Sequence, residues 1–243
     1  MVKTPSPLNL NTFSIVAHDP APGMIGVAAS TKFPAVGVLV PHTRSGVGAI
    51  ATQARVNPLL GCDGLDLLER GHDAEETLEI LLGSDPEPEK RQVGIVDTQG
   101  HIAAHTGAAT DPWRGHLVAQ NCAVMGNLLV GEEVLLAMAV AFEASADEPL
   151  GERLVRALEA GQAAGGDKRG RQSAALYVVD RETAYAYLDL RVDEHPDPVA
   201  ELRRVFAVAN EQLVPFIERL PTRENPLGRF DRAELGQLLP DDA

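Results

Sequence analysis

Thr12 and Ser14 are the side chains of this 243-residue chain whose types and spacing point most directly to chemistry. They head an alternating stretch, Thr12-Phe13-Ser14-Ile15-Val16-Ala17-His18, and in a strand residues two apart share a face. A hydroxyl at the head of a first strand is a nucleophile when it belongs to the first residue of a mature chain. The free α-amino group then acts as its base. Eleven residues precede Thr12, so its nitrogen is a peptide nitrogen unless the chain is cut.

Other candidates follow downstream. Lys32, in Ser30-Thr31-Lys32-Phe33, has apolar flanks that suggest partial burial. Beside the head of the first strand it would hold an amine neutral and lower the nucleophile's pKa. A solvated loop lysine is the alternative. Gly126-Asn127 lies where a strand gives way to a helix, so the Asn127 amide could stabilise an oxyanion or cap the next turn. The loop Gly165-Gly166-Asp167-Lys168-Arg169-Gly170-Arg171-Gln172 concentrates charge among glycines. There Arg171 could grip a carboxylate in two-pronged fashion beside Asp167, or an Asp167–Arg pair could pin a tight turn. No Gly-Lys-Ser/Thr follows at phosphate-loop spacing. His101 and His105 would share a strand face, but no third ligand accompanies them at zinc spacing, so neither metal nor other cofactor is expected.

Composition narrows the function classes. A net charge of -14 argues against nucleic acid, which is held by Lys and Arg. Cys62 and Cys122 are too few for a disulfide framework, which fits a reduced interior. The N-terminus lacks the apolar core of a signal peptide, and the most apolar stretch, 128–142, contains Glu132 and Glu133. A soluble, cytoplasmic chain with no membrane partner is the expectation. Aromatics are only 4 % of residues, so the core must be built from Ala, Val, Leu and Ile, which suits closely packed layers.

These residues must be positioned by strands and helices that the pattern lays out in blocks. Residues 1–11 read as a flexible arm, residues 12–220 as one domain and residues 221–243 as a polar tail with a short helix at 232–238. Strands are predicted at 12–18, 24–30, 36–40 and 47–53, with 42–46 a polar connection. Asn57-Pro58 and Asp73 start helices reaching 70 and 82. Strands follow at 91–97, 101–106 and 117–125, helices at 132–144 and 150–163, strands at 173–180 and 184–190, and a last helix at 197–219. Antiparallel strand blocks alternating with helix pairs do not make a parallel doubly wound sheet. They predict an α+β fold, a four-layer αββα sandwich with two stacked, mainly antiparallel sheets between helical layers.

That order is the one used by N-terminal-nucleophile (Ntn) hydrolases. A narrower resemblance is carried by Thr12-Phe13-Ser14-Ile15-Val16-Ala17, Gly48-Ala49-Ile50-Ala51-Thr52-Gln53-Ala54, Arg91-Gln92-Val93-Gly94, Gly126-Asn127 and the long run from Ala160 to Leu176. Together these resemble the bacterial and archaeal domain-of-unknown-function family numbered 1028, grouped with Ntn-hydrolase-like proteins, over about residues 12–205. Similar members often begin Met-Thr-Phe-Ser, so loss of the initiator methionine would expose the threonine; the arm departs from that pattern. Either the Asn11–Thr12 bond is cut, or the chain starts later than written, or Thr12 is no nucleophile. The resemblance implies an amidohydrolase acting on a small-molecule amide or related carbonyl compound. Thr12, Lys32, Asn127 and Ser14 would be catalytic, and Asp167, Arg171 and Gln53 would bind substrate. A non-catalytic binding or assembly module on the same sandwich is the alternative, and homo-oligomers are expected by analogy under either.

Overall fold

The computed structural model describes residues 9–229 other than 181, 182 and 184. The short helix expected at 232–238 and the arm up to residue 8 lie outside the described residues. Among the described residues ten strands form two sheets in which every pairing is antiparallel. In chain order they are β1 (Thr12–Asp19), β2 (Met24–Thr31), β3 (Pro41–Arg44), β4 (Gly48–Ala54), β5 (Arg91–Asp97), β6 (Ile102–Thr106), β7 (Gly115–Ala119), β8 (Cys122–Gly126), β9 (Ser173–Val179) and β10 (Leu188–Val192). The six-stranded sheet runs β10-β9-β2-β1-β8-β7 and the four-stranded sheet β3-β4-β5-β6.

Among the described residues seven α-helices accompany them: α1 (Val36–Leu39), α2 (Pro58–Glu69), α3 (Ala74–Ser84), α4 (Glu133–Ala144), α5 (Leu150–Ala163), α6 (Pro198–Val208) and α7 (Val214–Ile217). The period-two pattern sorts the strand residues into layers. Phe13, Ile15 and Ala17 of β1 pack with Met138, Leu154 and Leu158 of α4 and α5. Ile50, Val93 and Ile95 pack under Leu60, Leu65 and Leu81 of α2 and α3. Between the sheets lie Val16, Val27, Ala49, Ala51, Val96 and Met125, a small-residue interior in keeping with the scarcity of aromatics. Gly94 is a point of close approach, because a Cβ there would collide with the Met125 side chain. The four-layer sandwich expected from the element order is the fold observed.

The helix starts follow from their caps. The Asn57 side chain accepts from Leu59 N at 3.2 Å with Pro58 in the first turn, and Asp73 accepts from Glu76 N at 2.8 Å.

Five local expectations are corrected. Residues 36–39 wind into α1 rather than extending, because the Val36 N–H donates to Ser173 Oγ and Gly37 lies tight against Ala175 and Arg191. The polar segment after it is instead the edge strand β3, whose Arg44 pairs with Asp66 and Glu69. The single strand at 117–125 is a hairpin, β7–β8, turning where Asn121 takes φ 64°. The last helix breaks at a π-helical turn, Ala209–Leu213, before Pro215, which has no N–H to donate to the preceding turn. Strand β10 also starts later than its apolar pattern suggests, at Leu188.

Candidate functional site

Thr12 and Ser14 share the face of β1 that looks toward the second sheet, and both are fully buried. Register sets Thr12 opposite Thr31 on β2. On the other flank Phe13 pairs with Gly126, and the Asn127 N–H donates to the Thr12 carbonyl at 3.1 Å. Thr31, Thr12 and Asn127 therefore form a row across the six-stranded sheet. Gln53 of β4 and Gln92 of β5 face that row from the other sheet, and both are wholly buried.

The carboxamides form a closed network whose orientation can be deduced. Gln92 Nε2 donates to Thr106 Oγ1 at 2.8 Å, to Gly126 O at 2.9 Å and to Gly115 O at 3.0 Å. Its Oε1 therefore faces donors, Gln53 Nε2 and Asn127 Nδ2, each at 2.8 Å. Gln53 Nε2 also donates to the Thr12 carbonyl at 3.2 Å, and Gln53 Oε1 accepts from Ser14 Oγ at 2.6 Å. What remains is Asn127 Oδ1, a buried acceptor without a hydrogen-bond partner. The expected oxyanion role for the Asn127 amide is not what the structure arranges, since its donor is turned to Gln92.

The peptide bond before Thr12 is held unusually closely. Leu10 N donates to Ala54 O at 2.6 Å and Ala54 N donates back to Leu10 O at 3.0 Å, so the inner end of the arm pairs antiparallel with the end of β4. Asn9 Nδ2 donates to Asp111 Oδ2 at 2.9 Å. Leu10 is fully buried and Asn11 nearly so, which means the expected flexible arm is anchored from Asn9 onward. The Asn11 carbonyl accepts a hydrogen bond from Thr31 Oγ1 and another from Arg169 Nη2 at 2.9 Å. The Thr12 hydroxyl donates to Leu10 O at 3.0 Å.

Arg169 is held there by Asp167. One Asp167 oxygen accepts from the Arg169 backbone N at 2.9 Å and Nε at 3.0 Å. The other accepts from Arg169 Nη2 at 2.6 Å and from Lys32 N at 3.2 Å. Asp167 has no exposed side-chain surface and no capacity left for a substrate; it positions a guanidinium. The loop reaches this place because Gly166 takes φ 59° directly beside the Phe13 ring.

Two expectations fall away on this geometry. Lys32 is exposed, with Nζ 3.4 Å from Arg171 O, because Thr31 takes the inward position at the end of β2. Arg171 turns outward into an exposed pair with Asp197 at 2.8 Å. Conversely, sequence reading passed over Thr31, Gln92 and Arg169. The hairpin register could have flagged Thr31, and Gln92 stands in one of the resembling motifs.

Clefts open on the surface among the described residues. One, about 550 Å³ and walled in part by Val47, Leu68, His72, Asp97 and His101, lies at the far end of the four-stranded sheet. Another, about 380 Å³, is bordered by Asp19, Asn121, Glu143 and Arg153 near the β1–β2 turn. A third, about 140 Å³, is walled by Asn9, Ala54, Arg55, Lys90 and Asp111 and adjoins the anchored arm. Thr12 and Lys32 line none of these three. Among the described residues no helix is long and apolar enough to cross a membrane.

The class of protein defined so far is an αββα sandwich with a buried, hydroxyl-headed first strand. The chain belongs to the family of unknown function DUF1028, whose family model matches residues 12–202. The crystal structure of protein SPO2555 from Silicibacter pomeroyi, of the same family, is 31 % identical and superposes with a TM-score of 0.82. That match covers 91 % of this chain and all of the other. Anbu (ancestral beta-subunit) from Yersinia bercovieri is 14 % identical at a TM-score of 0.38, over 86 % of this chain and 98 % of that one. That likeness is too low to carry an argument. No curated protein matches.

Proposed function

We propose that this chain is the precursor of an Ntn-type amidohydrolase in which Thr12 becomes the nucleophile once the Asn11–Thr12 bond is cut. The observation that carries the reading is the Asn11 carbonyl, which accepts from Thr31 Oγ1 and Arg169 Nη2 immediately before a buried threonine. Such donors aim at the oxygen on which negative charge would develop. The family match also begins at Thr12.

In the cutting step Thr12 Oγ1 leaves its bond to Leu10 O and attacks the Asn11 carbonyl carbon. The bond to the Thr12 nitrogen breaks, and that nitrogen takes up the hydroxyl proton. Water then hydrolyses the resulting ester, giving an Asn11 carboxylate and a free Thr12 amine. The freed amine, with an ordinary pKa of about 7.7–8.0, serves as base toward a substrate carbonyl seated where Asn11 had been. Asn127 Oδ1, the orphan acceptor opposite Thr12, suits an N–H of that amine. The oxyanion role moves from Asn127 to Thr31 and Arg169.

A β-lactone electrophile provides the test. Purified protein should be acylated on Thr12, and Thr12→Ala should take up no label. Equal labelling of both, or of neither, counts against a terminal nucleophile.

A binding module on the same sandwich is favoured by one observation: Thr12 is fully covered and its hydroxyl is engaged by Leu10. In that case a screen of amides, lactams and ureido compounds gives no turnover above that of Thr12→Ala.

A further inference from the structure

The way Asn9–Asn11 are held describes the ligand that would replace them. Leu10 exchanges both backbone hydrogen bonds with Ala54, as an added strand does on a sheet edge. Ala54 itself sits at φ 68°, a left-handed conformation disfavoured for a residue with a Cβ, and such strain gathers where backbone clamps a ligand. The Leu10 side chain has no exposed surface and belongs to the inter-sheet apolar cluster with Val36, Val40 and Ala51. Asn11, by contrast, is buried with its Oδ1 unpartnered, so the site is not tailored to asparagine there. Upstream, Asn9 reaches Asp111 beside the 140 Å³ cleft bearing Arg55 and Lys90.

We propose that the seat of Asn9–Asn11 is a peptide-binding groove with an aliphatic pocket. Resting on the Thr12 reading, it is the acyl side of the substrate site. Its substrate class is then a peptide or N-acyl-amino-acid amide carrying a branched aliphatic side chain one residue before the attacked carbonyl. The residue at the carbonyl itself is loosely specified. The arm is thus both the first substrate and the plug of the groove.

The groove can be tested without any cleavage. In full-length Thr12→Ala, which keeps its arm, a second change, Leu10→Asp, unpins the segment and opens the pocket. The probes are acetyl-Asn-Leu-amide and acetyl-Asn-Asp-amide, which span only the Asn9 and Leu10 positions, titrated by nuclear magnetic resonance. The double variant should prefer the leucine probe by about tenfold to a hundredfold, the range expected for burying one leucine. Thr12→Ala alone should bind it more weakly. A folded double variant that binds both probes equally, or neither, overturns the groove. Should the aspartate change prevent folding, Leu10→Gly in the same background gives the same comparison. Since Thr12 is absent throughout, the outcome is separate from whether Thr12 is a nucleophile.

Discussion

At the scale of single residues the account rests on how the Asn11 carbonyl is held. Thr31 Oγ1 and Arg169 Nη2 both donate to it, and Asp167 fixes the guanidinium that makes the second contact. Donors fixed before reaction need no reorganisation as charge develops, and removing one from an oxyanion site costs about 10²–10³ in rate. Arg169→Ala and Thr31→Val should each slow conversion of full-length chain by about that factor, followed as a mass-spectrometric time course. Rates unchanged in both would show that the carbonyl contacts are structural. Lys32→Ala, outside this constellation and exposed, should leave conversion within about twofold of wild type in the same assay, as a surface residue without contact to the reacting atoms would. The sequence made Thr12 and Ser14 legible, because period two puts both hydroxyls inward. It did not separate Arg169 from Arg171, since only the positive φ of Gly166 and Gly170 decides which of the two turns back toward β1.

At the scale of elements, two buried polar clusters lock the layers around the site. Gln92 joins β5 to β4, β6, β7, β8 and Asn127 through five hydrogen bonds. Gln92→Leu keeps the volume roughly but strands buried partners, each worth about 1–3 kcal/mol. The expected loss is about 2–4 kcal/mol, or roughly 5–15 °C in Tm, read by thermal unfolding. A shift below about 2 °C would mean the network is dispensable. Asp85, at the C-terminal end of α3, ties Asn57 at the start of α2 to Arg91 at the start of β5. Burial pushes its carboxyl up, but hydrogen bonds from Arg91, the Glu87 amide and Asn57 outweigh this and hold it below the ordinary carboxylate value of 3.8. Between its lowered folded pKa and that ordinary value the unfolded chain binds the extra proton. This contribution is therefore complete above pH 3.8 and is lost as pH falls through the folded pKa. Asp85→Asn should cost about 3 kcal/mol at neutral pH and flatten the acid limb of the stability profile. A parallel acid limb in the variant would contradict the assignment.

Across the whole molecule the layer order was readable from the alternation of strand blocks and helix pairs, while the exceptions came from contacts distant in sequence. Residues 36–39 look like a strand locally and coil because Ser173 and Arg191 crowd them. The arm looks disordered by composition and is ordered from Asn9 because Ala54 and Asp111 hold it. No local pattern encodes either outcome. The proposed function turns on the arm, since the contacts that bury Thr12 also hold the carbonyl of the bond before it. Intact-mass analysis with N-terminal sequencing of purified full-length protein, sampled over time, tests this most directly. The account predicts conversion to a chain beginning at Thr12, with Thr12→Ala retaining residues 1–11 throughout. Wild type and Thr12→Ala both remaining uncut under prolonged incubation would contradict it.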